Sequence, residues 1–301
     1  MQFVVPLVVL YNLNPGSFDS TWKGRAYYII FVWLTVMEVI LNWKRANKIG
    51  KLMSIRSLAL LAVLLLPTIY VFYSNYLNLN NLIIDIAAKS NVSISGQMPL
   101  SIEYIIFAAF FGLIITILYG TNGLTNFSVP LLLLVIMGTL YTIDNFYPYG
   151  RFTPLQILVP ATATLSASFL SLLGYQTRFI GYVESTPVLQ AWNSSGGATF
   201  GIAWPCAGVE GLIVYTVTIL LFLKQTEIPL KQKALYFTIG AVVTYFINIL
   251  RIVTIFTIAS NQGDYLRFHN YYGQMYSIIW ITAYMLIIFA IQTTWKNKKN
   301  N

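Results

Sequence analysis

The chain has 301 residues, of which 57% are hydrophobic and only 9% are Asp, Glu, Lys or Arg. An ordinary soluble domain carries about 25% charged residues, so this composition excludes a water-covered fold of the same size. The net charge is +9, but the basic residues cluster at the ends of apolar runs and form no stripe on a polar surface, which argues against nucleic-acid binding. We therefore expect an all-α integral membrane protein, with one membrane domain over residues 1–301.

Apolar runs long enough to cross a bilayer recur along the whole chain. A transmembrane helix needs about 20 predominantly apolar residues. Residues 3–10 are too short to span alone. The clear spanning candidates are 26–43, 58–77, 101–119, 128–143, 208–223, 234–258 and 273–292. This pattern predicts a polytopic helical bundle with about seven or eight transmembrane helices.

The basic residues predict the orientation of the bundle. Residues 44–57, the loop 224–233 and the tail 296–299 together hold 11 of the 18 Lys and Arg, and such clusters favour the cytoplasmic side. Counting crossings from residues 44–57 and counting back from the tail place residues 174–207 on the same side only if one run between them does not cross. The run 154–173 contains two prolines and many Thr, Ser and Ala, so we expect a re-entrant or surface helix there. The segment 144–207, which includes a turn-rich stretch, then lies outside, and the C-terminus is cytoplasmic.

Cys206 is the only cysteine, so it cannot form a disulfide within the chain. It lies in Trp-Pro-Cys-Ala-Gly-Val-Glu-Gly-Leu, residues 204–212, at the start of a predicted span. Lys224 follows about 27 Å further along a helix axis, which places Cys206 near the outer face. The N–H groups and dipole at a helix N-terminus favour a thiolate. The alternative is an inert, buried cysteine.

Two further residues are predicted to lie at the same depth. Arg251, in Asn-Ile-Leu-Arg, is about 26 Å from the cytoplasmic end of its span. A charged residue inside an apolar run is costly and therefore indicates a functional role. His269 is the only histidine and precedes the last span, and an imidazole exchanges protons near neutral pH. The alternatives are an arginine that reaches the outer headgroups and an interfacial histidine without a role.

These three side chains lie on successive helices joined by short loops, so they can be neighbours. A thiol, a guanidinium and an imidazole supply a nucleophile, an electrostatic stabiliser and an acid or base. Asn248 lies one turn before the arginine and could orient it. Glu210 is either an ion partner for the arginine or a carboxylate at the start of a helix, and the sequence leaves both interpretations open.

The motifs Pro-Cys-Ala-Gly at 205–208, Asn-x-x-Arg at 248–251 and Phe-His-x-x-x-Gly at 268–273 resemble those of the exosortase and archaeosortase family. The resemblance is specific over roughly 155–290, so we treat 154–290 as the catalytic half. The first half is similar only in being hydrophobic. Many bacterial relatives have Ser in place of Ala207. Some archaeal relatives use a second arginine instead of the histidine, which makes Arg267 a possible participant.

The resemblance implies a cysteine transpeptidase in a prokaryotic cell membrane, with its active site on the outer face. Its partners would be secreted proteins that end in a short motif, a transmembrane helix and a basic tail. Cys206, Arg251 and His269 would be catalytic, a lipid or cell-surface group would accept the product, and no metal or cofactor is expected.

Three rival functions stay open at this point. A transporter could use Glu38, Glu210 and Arg251, but we see no paired inverted repeats. A transferase with a lipid-linked glycan should have paired acidic residues, which Asp144, Glu184 and Asp264 do not form by spacing. The third rival is an assembly factor without enzymatic activity.

Overall fold

The computed structural model describes residues 2–18, 23–41, 55–148, 151–224 and 226–300. The chain divides into two compact units, Met1–Pro148 and Tyr149–Asn301. The second unit contains all residues of the predicted catalytic half. Most described residues are helical, and the predicted all-α membrane class is confirmed.

The first unit contains helices and no strand within its described residues. Aromatic side chains fill much of its core, where Phe3 packs edge-on against the rings of Phe31, Phe107 and Phe111. Its helices are α1 (Val4–Leu13), α2 (Ala26–Leu41), α3 (Ile55–Tyr76), α4 (Leu79–Lys89), α5 (Met98–Tyr119), α6 (Thr121–Asn126) and α7 (Ser128–Phe146). The two helices α3 and α4 are bent by 70° at their junction, where Asn78 adopts a left-handed conformation.

Two ion pairs tie the turn before α2 to the neighbouring helices of the first unit. The Lys23 ammonium lies 2.7 Å from Asp144 and donates to Asn145 at 2.7 Å. The Arg25 guanidinium donates two hydrogen bonds of 2.8 Å to the Glu103 carboxylate. Burial lowers the pKa of Lys23, and the carboxylate of Asp144 acts in the opposite direction. The pairs therefore compensate for charges that the fold has removed from water.

The second unit combines helices with a small antiparallel sheet. The strands β1 (Gln176–Val183), β2 (Thr186–Asn193) and β3 (Gly196–Gly201) pair in chain order. The helices are α8 (Val159–Leu172), α9 (Glu210–Lys224), α10 (Leu230–Ser260), the short α11 (Tyr265–Arg267) and α12 (Gly273–Asn300). The turn-rich stretch predicted within 144–207 covers residues 192–201, which belong mostly to β2 and β3, so the sheet was not predicted.

Buried and half-buried residues alternate along β2, which is typical of a strand that packs one face against a core. This pattern explains why a sheet forms between α8 and α9 in the chain. Pro187, Leu189 and Ala191 are buried, while the residues between them are half-buried. Leu189 and Ala191 pack in one hydrophobic core with residues of α8 and α10, among them Leu170 and Phe256. The sheet therefore covers the ends of those helices with its apolar face.

Among the described residues, five helices are long and apolar enough to cross a membrane, or six if the bent pair is one span. The predicted count of about seven or eight is not confirmed. Three apolar helices, Val4–Leu13, Ala26–Ile40 and Val159–Leu172, have only 10–17 residues, which is shorter than the roughly 30 Å of a bilayer core at 1.5 Å per residue. The non-crossing run 154–173 stays a prediction. Most of the basic segment 44–57 lies outside the described residues.

We predict that Glu103→Gln destabilises the first unit strongly. The substitution leaves the Arg25 guanidinium buried without its counter-charge, and breaking such a pair costs about 3–5 kcal/mol of unfolding free energy. Replacing both partners, as Arg25→Met with Glu103→Leu, should cost less. Unfolding of the purified protein in mixed micelles measures the difference.

The matched control is Arg151→Gln, which removes an ion pair of 3.8 Å between exposed side chains, Arg151 and Glu184. An exposed pair contributes less than about 1 kcal/mol. Equal losses in the Glu103→Gln and Arg151→Gln variants would contradict the structural role of the buried pair.

Candidate active site

Cys206 lies in a distorted turn that begins the helix α9. Residues Pro205–Val209 form one π-helical turn, in which Gly208 has a φ of +105°. Residues with a side chain rarely adopt that conformation, so the turn depends on glycine. Cys206 as a whole residue is half-buried. Pro205 suits the start of the turn because proline lacks an N–H to leave unpaired.

Side chains from two other helices bond the carbonyl groups of this turn. The Asn248 amide on α10 donates to the carbonyl oxygen of Cys206 at 2.9 Å. The Thr162 hydroxyl on α8 donates to the carbonyl of Ala207 at 3.1 Å and lies 2.9 Å from the Tyr245 hydroxyl. The amide of Asn248 thus holds the backbone beside the cysteine. That Asn248 also orients Arg251 stays a prediction.

Arg251 lies on α10 one turn after Asn248, and only 8% of it is exposed. One guanidinium nitrogen donates to the carbonyl oxygen of His269 at 3.4 Å, while the buried Nε has no hydrogen-bond partner among the described residues. A Cβ built on Gly273 would lie 2.6 Å from that Nε. The absence of a side chain at 273 therefore makes the space that the guanidinium occupies.

His269 lies in a second π-helical turn, Phe268–Tyr272, which leads directly into α12. Its Nδ1 is 3.1 Å from the side-chain oxygen of Asn270. When Nδ1 carries the proton and donates it to this oxygen, Nε2 is left as a proton acceptor. The asparagine can thus select the tautomer of the histidine.

Cys206, Arg251 and His269 line one cavity of about 280 Å³. The cavity also has walls of apolar side chains, among them Phe200 of β3 and Phe256 of α10, whose ring centroids are 5.1 Å apart. The structure thus brings the three predicted residues to one concave surface. This cavity contains a thiol, a guanidinium and an imidazole in largely apolar surroundings.

The two other candidate residues, Glu210 and Arg267, are not among the residues that line this cavity. Glu210 is the first residue of α9, so the position at the start of a helix is observed, while its ion pair with Arg251 stays a prediction. Arg267 is exposed and its guanidinium carbon lies 6.0 Å from the ring centre of Tyr272. It is not among the residues that line the cavity.

Sequence reasoning missed several residues that the structure places at the site. Asn270 had a signal, because it directly follows the histidine and can bond to it. Gly273 belongs to a recognised motif, but its contact with the arginine could not be inferred from spacing. Thr162 and the wall from β3 come from elements whose packing no local pattern reveals. Within the described residues, no group of three or more His, Cys, Asp or Glu side chains is placed to hold a metal ion.

A family model described as transmembrane exosortase matches residues 22–289. The match covers nearly the whole chain and confirms the resemblance that the three motifs indicated. The match also corrects the predicted extent of the resemblance, which was roughly 155–290. It includes the first half of the chain from residue 22 onward, so that half resembles the family in more than its hydrophobicity. The comparisons with curated proteins and with solved structures gave no match.

We predict that Arg251→Met slows alkylation of Cys206 by iodoacetamide roughly tenfold near neutral pH. The guanidinium lines the same cavity as the thiol, and a cation near a thiol favours the thiolate, which is the reactive form. Because the chain has one cysteine, labelling of the full-length protein in membranes reports this site alone. Arg267→Met is the control and should change the rate less than twofold. Similar rates in both variants would contradict the prediction.

We further predict that Gly273→Ala slows the same alkylation toward the rate of Arg251→Met. The new methyl group would overlap the guanidinium, which must move away. Gly211→Ala is a suitable control, since a Cβ there meets Ser277 Oγ at an ordinary 3.4 Å. If Gly273→Ala labels as fast as the unchanged protein, the arginine does not depend on the space at 273.

Proposed function

Because the chain belongs to the transmembrane exosortase family, we propose that it is a membrane cysteine transpeptidase that cleaves the C-terminal sorting signal of secreted proteins. The observation that carries the proposal is the shared cavity of Cys206, Arg251 and His269. Those residues are the groups that acyl transfer through a thiol requires, namely a nucleophile, an electrostatic stabiliser and a proton carrier. The family match by itself supports only that the chain is a membrane protein of the exosortase family.

In the first half-reaction the Cys206 thiolate attacks the scissile carbonyl carbon and forms a carbon–sulfur bond. Negative charge develops on the carbonyl oxygen, where the Arg251 guanidinium stabilises it. The unpaired, buried Nε–H is a donor that no described residue uses. The carbon–nitrogen bond then breaks, and His269 gives a proton to the leaving amine. A thioester of the substrate remains on the enzyme.

In the second half-reaction a nucleophile of the acceptor attacks the thioester carbonyl. His269, now neutral, takes the proton of that nucleophile, and the carbon–sulfur bond breaks to restore the thiolate. The acceptor is a lipid or a cell-surface group, and water in its place gives hydrolysis. The Asn248 and Thr162 hydrogen bonds support this cycle by holding the backbone next to the sulfur.

The substrate of this reaction is a secreted protein that ends in a short motif, an apolar helix and a basic tail. The basic tail stays on the cytoplasmic side, so the motif reaches an active site at the outer face of a prokaryotic cell membrane. The orientation rests on the clusters of Lys and Arg in the sequence. An apolar helix of the substrate matches the lipid-embedded setting of the enzyme.

The test coexpresses the full-length chain with a tagged protein of the same genome that carries such a C-terminus. We expect Cys206→Ala to abolish processing, and Arg251→Met to lower its rate by about 10²–10³, as is typical when a donor to an oxyanion is lost. The wild-type enzyme should also yield an adduct with the substrate that hydroxylamine releases, which identifies a thioester. Immunoblots and intact-mass measurements check both.

Equal amounts of each variant in the membrane fraction are the control for expression and folding. A Cys206→Ala enzyme that processes the substrate normally would refute the cysteine mechanism and favour a transporter or assembly role. An adduct that resists hydroxylamine would refute the thioester.

A further inference from the structure

A second cavity, of about 350 Å³, lies between the N-terminal part of α8 and the hairpin of β1 and β2. Neither Cys206 nor Arg251 nor His269 lines it. Its lining comes from the turn before α8, from α8 itself and from the hairpin: Gln156, Val159, Pro160, Ala163, Thr164, Phe179, Tyr182, Ser185 and Pro187. The catalytic proposal uses none of these residues.

The amide of Gln156 has an unusual position in this cavity. Both its nitrogen and its oxygen are buried, and neither has a hydrogen-bond partner among the described residues. Buried polar atoms without partners are uncommon, because they have lost hydration and gained nothing in return. A primary amide offers a donor and an acceptor side by side, which match the acceptor and donor of another amide group.

The other residues that line the cavity restrict which kinds of ligand it can bind. None of the described residues that line the cavity is charged, so a phosphate or carboxylate would find no cation there. Two aromatic residues of β1 complete the lining, and they are largely exposed, Phe179 at 46% and Tyr182 at 75%. An uncharged amide between apolar groups fits this surface, and an extended peptide has that character. A lipid headgroup with a phosphate does not.

Residues that line the second cavity and residues that line the active-site cavity are hydrogen-bonded neighbours in the sheet. Pro187 lines the second cavity, and its carbonyl accepts a hydrogen bond of 3.0 Å from the N–H of Ile202. Ile202 in turn lines the cavity of Cys206. On α8, Ala163 lines the second cavity, and the adjacent Thr162 bonds the turn of the cysteine. A ligand in the second cavity would therefore lie against the elements that hold the nucleophile.

We propose that this cavity binds the peptide segment next to the scissile bond of the sorting signal, and that Gln156 pairs with an amide of that segment. The proposal rests on the transpeptidase function above and adds the site that recognises the substrate. Gln156 is a specificity residue in this scheme and takes no part in bond breaking. Phe179 and Tyr182 cover the apolar side chains of the same segment.

The test compares Gln156→Leu with the unchanged full-length enzyme in the coexpression assay. Leucine keeps the size of the side chain and removes both hydrogen-bonding atoms. We expect processing at limiting substrate to fall roughly tenfold, since one or two hydrogen bonds are lost, and to recover when the substrate is overexpressed. Alkylation of Cys206 should stay within twofold of the unchanged rate, because the nucleophile is untouched.

The matched control is Gln190→Leu, at a half-buried position of the same sheet that lines neither cavity. It should process the substrate normally. Unchanged processing by Gln156→Leu, or an equal loss in both variants, would overturn the proposal. So would a loss that excess substrate does not restore.

A photocrosslinking residue in place of Tyr182 gives a second readout in the Cys206→Ala background, where substrate is not consumed. We expect it to capture the tagged, unprocessed substrate. Capture of lipid, or of nothing, would overturn the peptide assignment. Failure of the catalytic proposal is recognised separately, because it requires processing by Cys206→Ala, whereas failure of the cavity proposal leaves that variant inactive.

Discussion

A buried guanidinium organises the second unit. An arginine inside an apolar helix is costly unless other groups compensate for its charge, and here the compensation comes from the chain that follows the helix. The carbonyl of His269 accepts from the guanidinium, and Gly273 leaves room for it. Because both residues belong to the turn into α12, accommodating Arg251 also places the histidine beside it.

A second constraint acts on the other side of the cavity. The π-helical turn at Cys206 departs from regular helix geometry, and irregular backbone in a membrane protein needs partners from neighbouring elements. Asn248 and Thr162 donate to its carbonyl groups. Since Asn248 lies one turn before Arg251, a single helix, α10, holds the backbone of the cysteine and carries the arginine of the same cavity. This relation gives the Asn-x-x-Arg spacing a physical meaning.

Local patterns predicted the parts of the molecule that depend on composition and run length. The spans 101–119, 234–258 and 273–292 correspond to α5, α10 and α12, because long apolar runs have few alternatives to helix. The sheet was missed, since alternation with buried residues occurs only in β2, β1 and β3 contain glycines, and serines lie in the turns between the strands. The bend between α3 and α4 and the shortness of α2 were not predicted, whereas the run 154–173, which contains the short helix α8, was predicted not to cross. Hydropathy measures how apolar a run is and does not reveal where a helix stops.

The sequence by itself determined the membrane class and the family, and it singled out three candidate side chains, because these follow from composition and from residues at fixed spacing. Tertiary structure alone decided that those side chains share a cavity, that Asn248 bonds the backbone of the cysteine, and that the Gln156 amide lies in a second cavity without a hydrogen-bond partner among the described residues. Such facts depend on contacts between residues tens of positions apart. Packing and hydrogen bonding across helices create them, and no periodicity along the chain encodes them.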